Sequence, residues 1–200
     1  MDQIFTLYLK LLFMMTPFFV LSVFITMTKH LSGTEKRSVI LKFGIAISVA
    51  SLMFLLFGKY IFSLFGITLD AFKIGAGSVL FLSALDMIRG DAELPDARVK
   101  QGTDFAIVPL AVPVTIGPGM IGILMVMGAE IGDALDFFQM VTSLAGAVIT
   151  LVGILLMSDR LNQIIGRQGL QILPKIIGLF VSAIAAQIVF SGVQGFLGSS

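Results

Sequence analysis

The sequence contains no cysteine, a single histidine, and few charged residues, which make up 12% of its 200 positions. Without cysteine there is no disulfide scaffold and no thiolate metal site, and one histidine cannot build an ordinary zinc site or a Ser-His-Asp triad. No Walker-type phosphate loop occurs, which argues against ATP as the direct energy source. The charges nearly cancel, at a formal +1, so there is no basic face for nucleic acid. We therefore expect no cofactor, no metal, no nucleic-acid partner and no enzymatic activity.

Apolar residues take the place of charge, forming 57% of the sequence with a mean hydropathy of +1.04. An ordinary soluble domain is about 25% charged and about 45–50% apolar. A water-soluble fold of this size could not bury so much apolar surface. The composition predicts an integral membrane protein whose solvent is the lipid bilayer.

Six apolar stretches approach the roughly 20 residues that a membrane-spanning helix needs. They lie near residues 11–28, 39–57, 74–88, 105–127, 137–157 and 176–196. The third is the shortest, so we expect its edges to reach back past Lys73 or into residues 61–69. The pattern predicts an all-α membrane protein with six transmembrane helices.

Lys and Arg residues are distributed unevenly between alternate loops. Ten of the 13 fall in the first, third and fifth loops, whereas Lys10, Lys59 and Lys73 fall on the other side. Because cytoplasmic loops are enriched in Lys and Arg, the odd-numbered loops are expected in the cytoplasm and both termini outside it.

The two halves of the chain show a weak internal similarity. A shift of 96 residues pairs Thr16-Pro17 with Val112-Pro113 and Ser22 with Pro118. A shift of 101 residues pairs Gly77 with Gly178 and Asp86 with Gln187. Residues 1–100 and 101–200 are therefore predicted to be two three-helix repeats of one membrane domain, the second inverted because each contains an odd number of spans. The alternative is that short apolar segments resemble each other by composition alone.

The fourth span contains Pro109, Pro113 and Pro118, the last flanked by Gly117 and Gly119. Proline removes a backbone donor and disfavours helix at the preceding residue, so this span is predicted to be discontinuous. Broken backbone in hydrocarbon is tolerable only beside protein or a cavity, and the amides that begin the second half-helix suit a carboxylate. The alternative is a proline kink that only shapes packing.

A matching break is predicted at Thr16-Pro17 in the first span. Two interrupted segments at corresponding positions of two repeats indicate a binding site near mid-membrane. The candidate substrate-binding residues are Thr16, Pro17, Ser22, Pro113, Thr115, Gly117, Pro118 and Gly119. The amides of residues 117–119 would bind a carboxylate, and the hydroxyls and carbonyls around the other residues an ammonium. Each hydroxyl has the alternative role of bonding to its own helix backbone.

Asp86 and Gln187 are candidates for coupling or gating. An ionisable group within a span is costly unless it has a function or a partner, so Asp86 could carry a coupling proton or pair with a substrate ammonium. The alternatives are a boundary carboxylate paired with Arg89, and for Gln187 an interhelical hydrogen bond.

The sequence resembles the MarC family of six-span bacterial and archaeal membrane proteins over essentially its whole length. The resemblance rests on FGITLDAFKIGAG at residues 65–77, FLSALDMI at 81–88, IVPLAVP at 107–113 and GPG at 117–119. It implies a location in the cytoplasmic (inner) membrane and a relation to SnatA-type transporters of small neutral amino acids. Many members have an acidic residue or Asn, then Pro, Gly and Pro, where this chain has Thr16, Pro17, Phe19 and Ser22, so substrate preference could differ.

Together these observations predict a secondary transporter, in the direction of export, of glycine, alanine or serine by alternating access. The alternatives are a small-solute channel and a non-transporting helper subunit of the membrane. Small-residue stretches at residues 146–153 and 192–198 could serve the fold or a homodimer.

Overall fold

The computed structural model describes residues 2–90, 110–111 and 115–198. These residues form helices and short connections, with no strand among them. The helices are α1 (Asp2–Met14), α2 (Pro17–Met27), α3 (Gly33–Phe65), α4 (Leu69–Arg89), α5 (Pro118–Glu130), α6 (Ala134–Leu156) and α7 (Ser158–Gly198). The prediction of an all-helical membrane protein is confirmed.

Four helical segments among the described residues are long and apolar enough to cross a bilayer: part of α3, α4, α6 and the Gln168–Gly198 part of α7. The pair α1 and α2 passes the same test as one span bent by 41°, which gives up to five. Residues 105–109 and 112–114 of the predicted fourth span lie outside the described residues, and its described helix, α5, is only 13 residues long. The count of six spans therefore stays a prediction. The third span starts at Leu69, so it does reach back past Lys73 as expected.

Hydrogen-bonding side chains begin three of these helices. Ser32 and Glu35 form a reciprocal capping box at the start of α3, in which the Ser32 amide donates to Glu35 Oε2 at 2.8 Å. Thr68 caps α4 and Asp133 caps α6 by accepting a backbone N–H. Such caps satisfy amides that the first helical turn leaves without partners, which fixes where the chain re-enters the helix.

Many large apolar side chains lie on the outer surface. Leu64 is 80% exposed, Ile164 81% and Ile149 71%. In water such a surface would drive aggregation, whereas hydrocarbon solvates it. The outer surface is therefore suited to contact with lipid.

Helix α5 lies inside the bundle, packed between α3 and α4, and is buried along most of its length. Glycines allow this close approach. A Cβ atom added at Gly122 would lie 2.5 Å from the Ala76 Cβ, and one at Gly119 would lie 2.8 Å from the Leu80 Cα. On the α3 side, Gly128 contacts the Leu55 carbonyl. Small residues at these points bring the helix backbones together, as is typical of membrane helix pairs.

Helices α4 and α7 form the most extensive helix pair, and glycines on both helices make it possible. A Cβ added at Gly77 would lie 3.1 Å from the Ala185 carbonyl oxygen. A Cβ added at Gly178 would lie 3.0 Å from the Ala84 carbonyl oxygen. Each helix thus presents a glycine to the backbone of the other.

Candidate functional site

The first span is interrupted at Thr16. Helix α1 ends at Met14, and Thr16 has φ 48° and ψ 59°, in the left-handed region. This conformation is strained for a β-branched residue, at a cost of about 1–3 kcal/mol, and Thr16 is the one non-glycine residue with positive φ in the described chain. Pro17 then begins α2 without needing an amide partner. The predicted break in the first span is therefore present in the structure.

The Thr16 main chain and side chain differ in their bonding. Its carbonyl accepts hydrogen bonds from the Phe19 and Val20 amides, at 3.0 and 3.1 Å. Its hydroxyl has no hydrogen-bond partner in the described part of the chain, although the residue is only 8% exposed. The hydroxyl is therefore free to bind a solute or a water molecule.

The second interruption precedes α5. Gly117 is extended, with ψ 172°, and Pro118 is the first helical residue. Upstream, the Ile116 amide donates to the Ala111 carbonyl at 2.9 Å, a wider turn than an α-helix makes. The amides of Gly119 and Met120 have no acceptor within the described residues. Two donors at the start of α5 are thus left without a helical partner, as predicted for a discontinuous span.

Both half-helices begin with proline, at Pro17 and Pro118, which are 101 residues apart. The sequence alone suggested a 96-residue shift for these spans, which would place Pro17 opposite Pro113. The observed helix starts instead favour the same shift as Gly77 and Gly178. Pro113 itself lies outside the described residues.

The remaining predicted site residues have different surroundings. Thr115 is buried and its hydroxyl donates to the Leu110 carbonyl at 2.9 Å, so it satisfies backbone at the break. Gly119 packs against Leu80, and Pro118 is exposed. Ser22 is half-buried and lines a cavity. The substrate-binding role of all eight residues stays a prediction, and neither cavity described below is lined by residues from both breaks.

The first cavity, of about 280 Å³, lies where α1, α4, α5, α6 and α7 meet. Its charged and polar lining residues are Gln3, Lys10, Lys73, Glu130, Asp136, Gln139, Gln187 and Ser191. Lys73 Nζ forms an ion pair with Glu130 Oε1 at 2.6 Å and lies 3.8 Å from Asp70 Oδ1. The pair joins α4 to α5, and its two side chains are 13% and 48% exposed. The cavity thus contains cations and carboxylates together.

The second cavity, of about 330 Å³, lies between α2, the end of α4 and the middle of α7. Its lining residues are Phe19, Ser22, Met87, Arg89, Gly90, Leu170, Gln171, Pro174 and Lys175. Arg89 and Lys175 give it positive charge. Lys73 and Arg89 are sixteen residues apart on α4, about 24 Å along its axis, so the two cavities lie at opposite ends of the bundle.

Buried apolar residues separate the two cavities along α4 and α7. They are Leu80, Ala84, Val181 and Ala185, each at most 4% exposed. Thr16 lies between Lys10 of the first cavity and Phe19 of the second, so the break in the first span occurs at the level of this partition.

Asp86 and Gln187 are both exposed, and their surroundings differ. Gln187 lines the first cavity, whereas the Asp86 side chain forms no ion pair with Arg89 or any other described residue. The alternative in which Asp86 pairs with Arg89 is therefore not observed among the described residues. The coupling or gating role of both residues stays a prediction.

The sequence analysis missed Lys10 and Glu130 as cavity residues, because it used Lys10 only for orientation. A helical-face argument could have found them. Gln3, Leu7 and Lys10 are spaced four and three residues apart on α1, and Ile123, Met127 and Glu130 are spaced likewise on α5. Residues at such spacings share one face of a helix. Lys10 and Glu130 are therefore each the last residue of a row that faces the cavity.

Comparison with known proteins gives the family. The model of the MarC family integral membrane protein matches residues 1–197. A UPF0056 membrane protein of Methanocaldococcus jannaschii is 38% identical over 192 residues, which cover 92% of each chain. UPF0056 membrane proteins of Aquifex aeolicus and Escherichia coli are 28% and 24% identical, over 95% and 96% of this chain and 92% of each relative. No solved structure matches.

The match to the family model covers nearly the full length, and these relatives come from both archaea and bacteria. Together with long apolar helices and a lipid-suited surface, it establishes a multi-pass protein of the lipid bilayer. The chain belongs to the MarC family of integral membrane proteins.

Proposed function

We propose that the protein is a secondary transporter, working as an exporter, that moves glycine, alanine or serine across the membrane by alternating access. One observation carries the proposal: two interrupted helices begin with Pro17 and Pro118, and Thr16 before the first lies between cavities at opposite ends of the bundle. A solute site at that level could be reached from either cavity if the buried partition moved.

Reciprocal contacts between the halves, as an internal two-fold relation would produce, support this proposal. Gly77 faces Ala185, and Gly178 faces Ala84, so a shift of 101 residues exchanges the two contacts. The same shift exchanges Val189, near Gly77, with Ile88, near Gly178. An antiparallel, self-complementary pairing of α4 with α7 is what two inverted repeats of residues 1–100 and 101–200 would produce.

The cavities follow the same relation. Four residues of the second cavity match residues of the first when 101 is added or subtracted. The pairs are Ser22 with Ile123, Met87 with Ile188, Gly90 with Ser191 and Pro174 with Lys73. Even the partition between them consists of such pairs, Leu80 with Val181 and Ala84 with Ala185. Equivalent vestibules at opposite faces are the geometry that rocking of one repeat against the other requires.

At the mid-level site, the amides of Gly119 and Met120, which have no acceptor among the described residues, would bind the substrate carboxylate, because helix N-termini favour anions. The Thr16 hydroxyl and neighbouring carbonyls would bind the ammonium. Close helix packing around α5 leaves little room there, which favours small side chains. The resemblance to transporters of small neutral amino acids points to the same substrates.

The experiment is counterflow of labelled glycine and alanine into proteoliposomes, with and without a pH gradient. Thr16→Val removes the hydroxyl but keeps the β-branch, and Thr16→Ser keeps the hydroxyl. We expect counterflow to fall about tenfold or more in Thr16→Val, because a hydrogen bond to a charged group is lost, and to persist in Thr16→Ser. Absence of counterflow in the unmodified protein, or equal rates in both variants, contradicts the proposal.

The same preparation separates the two alternatives. A channel would give conductance and flux that does not saturate with substrate. A non-transporting helper subunit would give no flux alone and would copurify with a partner. Gly119 is unsuitable as a test position, because any side chain there would contact the Leu80 backbone and disturb packing as well as the site.

A further inference from the structure

We propose that the first cavity is a second binding site, which holds a free amino acid as a zwitterion between Lys10 and Glu130. It deepens the proposed function and rests on it for the choice of amino acids as ligands. The site is separate from the two helix breaks and lies at the end of the bundle where α1 begins and α7 ends.

Of the two cations that line the cavity, Lys10 is the one available to a ligand. It lines the cavity and has no ion-pair partner among the described residues. Glu130 lines the same cavity. Lys73, in contrast, is held by Glu130 at 2.6 Å and by Asp70 at 3.8 Å. Lys10 can therefore bind a ligand carboxylate without breaking an existing pair.

The charges of the lining fit a ligand with both signs. Two cations, Lys10 and Lys73, face two carboxylates, Glu130 and Asp136. Lys73 Nζ pairs with Glu130 Oε1, and a carboxylate has lone pairs for further donors, so Glu130 can also accept from an ammonium. A zwitterion adds no net charge to this balanced set, whereas a lone anion or cation would add an unbalanced charge in a partly desolvated space.

Uncharged polar groups complete the site. Four uncharged polar residues line the cavity: Gln3, Gln139, Gln187 and Ser191. Their side chains have no hydrogen-bond partner in the described part of the protein. They supply both donors and acceptors to a ligand. The volume of about 280 Å³ lies below the roughly 300–1,000 Å³ of sites for drug-sized molecules, so a ligand of few atoms fits.

The second cavity does not repeat this mixture. It lies at the opposite end of the bundle and, like the first, is lined by residues of both halves, yet its described lining contains Arg89 and Lys175 and no carboxylate. The opposed charges therefore distinguish the first cavity from the second.

The test is equilibrium dialysis of the purified full chain in detergent with labelled glycine, with acetate and methylamine as competitors. We expect two glycines per chain in the unmodified protein and one in Lys10→Met, whose cavity affinity falls about 10- to 100-fold. Lys10→Arg should retain the site, and Lys29→Met, an exposed cation outside the cavity, should match the unmodified protein. Thr16→Val should remove the other glycine and leave the Lys10 site intact.

This assay distinguishes failure of the cavity site from failure of the mid-level site. One glycine per chain, lost in Lys10→Met and kept in Thr16→Val, supports the cavity site and contradicts the mid-level site. Glycine binding unchanged in Lys10→Met overturns the cavity site whatever counterflow shows. Acetate competing as well as glycine in the unmodified protein also overturns it.

Glu130→Gln gives a test that does not depend on the folding of Lys10→Met. Removing the carboxylate leaves Lys10 and Lys73 opposed by Asp136 alone. We expect the preference for glycine over acetate at this site to shift toward acetate by about tenfold. An unchanged preference would count against the proposal.

Discussion

At the scale of single residues, Gly119 serves packing at a position where the sequence suggested solute contact. A glycine that contacts a ligand and one that contacts a neighbouring backbone cannot be distinguished from the local sequence. Gly119 is such a case, since it lies against Leu80. The break around it could be predicted because proline acts locally, whereas the partner of the glycine depends on how α4 and α5 meet.

Gly128 is the most tightly packed of these glycines. Alanine there would place a methyl group into the Leu55 carbonyl, so we expect Gly128→Ala to destabilise the protein by about 1–3 kcal/mol or more. Gly75→Ala is the matched control: it is exposed on α4 with no atom within 4 Å of the added Cβ, and should stabilise by about 0.5–1 kcal/mol. Thermal unfolding in detergent measures both, and equal midpoints would refute the assigned packing.

At the scale of helices, the first, second, third, fifth and sixth apolar stretches each correspond to described helices, because hydropathy alone determines where a chain can cross a bilayer. The ends were less predictable. Helix α3 runs beyond its apolar stretch to Phe65, where the left-handed Gly66 ends it, and α7 starts before its stretch at Ser158 and is interrupted at the non-helical Gly166, with φ 66°. The charged cavity was missed for another reason: its side chains come from five helices, and no single segment contains the pattern.

The proposed two-fold relation predicts two equivalent cross-links between α4 and α7. Because the natural chain has no cysteine, introduced pairs react without background. We expect Gly77→Cys with Val189→Cys, and Ile88→Cys with Gly178→Cys, to form disulfides, since a Cβ added at Gly77 would lie 2.8 Å from Val189 Cγ2 and one at Gly178 3.0 Å from Ile88 Cγ1.

The control pair is Gly77→Cys with Phe180→Cys, whose second side chain points outward. Gel mobility after cleavage at a protease site inserted at Asp96 detects the link. Cross-linking of only one of the two equivalent pairs would argue against the internal relation.

At the scale of the whole molecule, the distribution of Lys and Arg predicts which face meets the cytoplasm. The first cavity then opens away from the cytoplasm and the second toward it. Composition established the membrane class at once, whereas six spans and their direction require residues 91–109, most of which belong to the predicted connector and fourth span.

Cysteine labelling in intact cells tests this direction. We expect Ser200→Cys to react with a membrane-impermeant maleimide, and His30→Cys and Asp96→Cys to react only after the cells are permeabilised. The cysteine-free parent is the control for background labelling. Labelling of His30→Cys in intact cells would reverse the proposed orientation. Because an odd number of spans is predicted between residues 96 and 200, Ser200→Cys and Asp96→Cys should give opposite results.

The reciprocal contacts of Gly77 and Gly178 bear on how such a chain can arise. An interface whose two sides are equivalent can form between two copies of one polypeptide inserted in opposite directions. A free three-helix chain with this surface would therefore already possess the partner it needs, and gene fusion would only join what had assembled. Charges such as Lys10 in the first copy and Glu130 in the second could then diverge from their counterparts, which would make the two faces of the membrane chemically distinct.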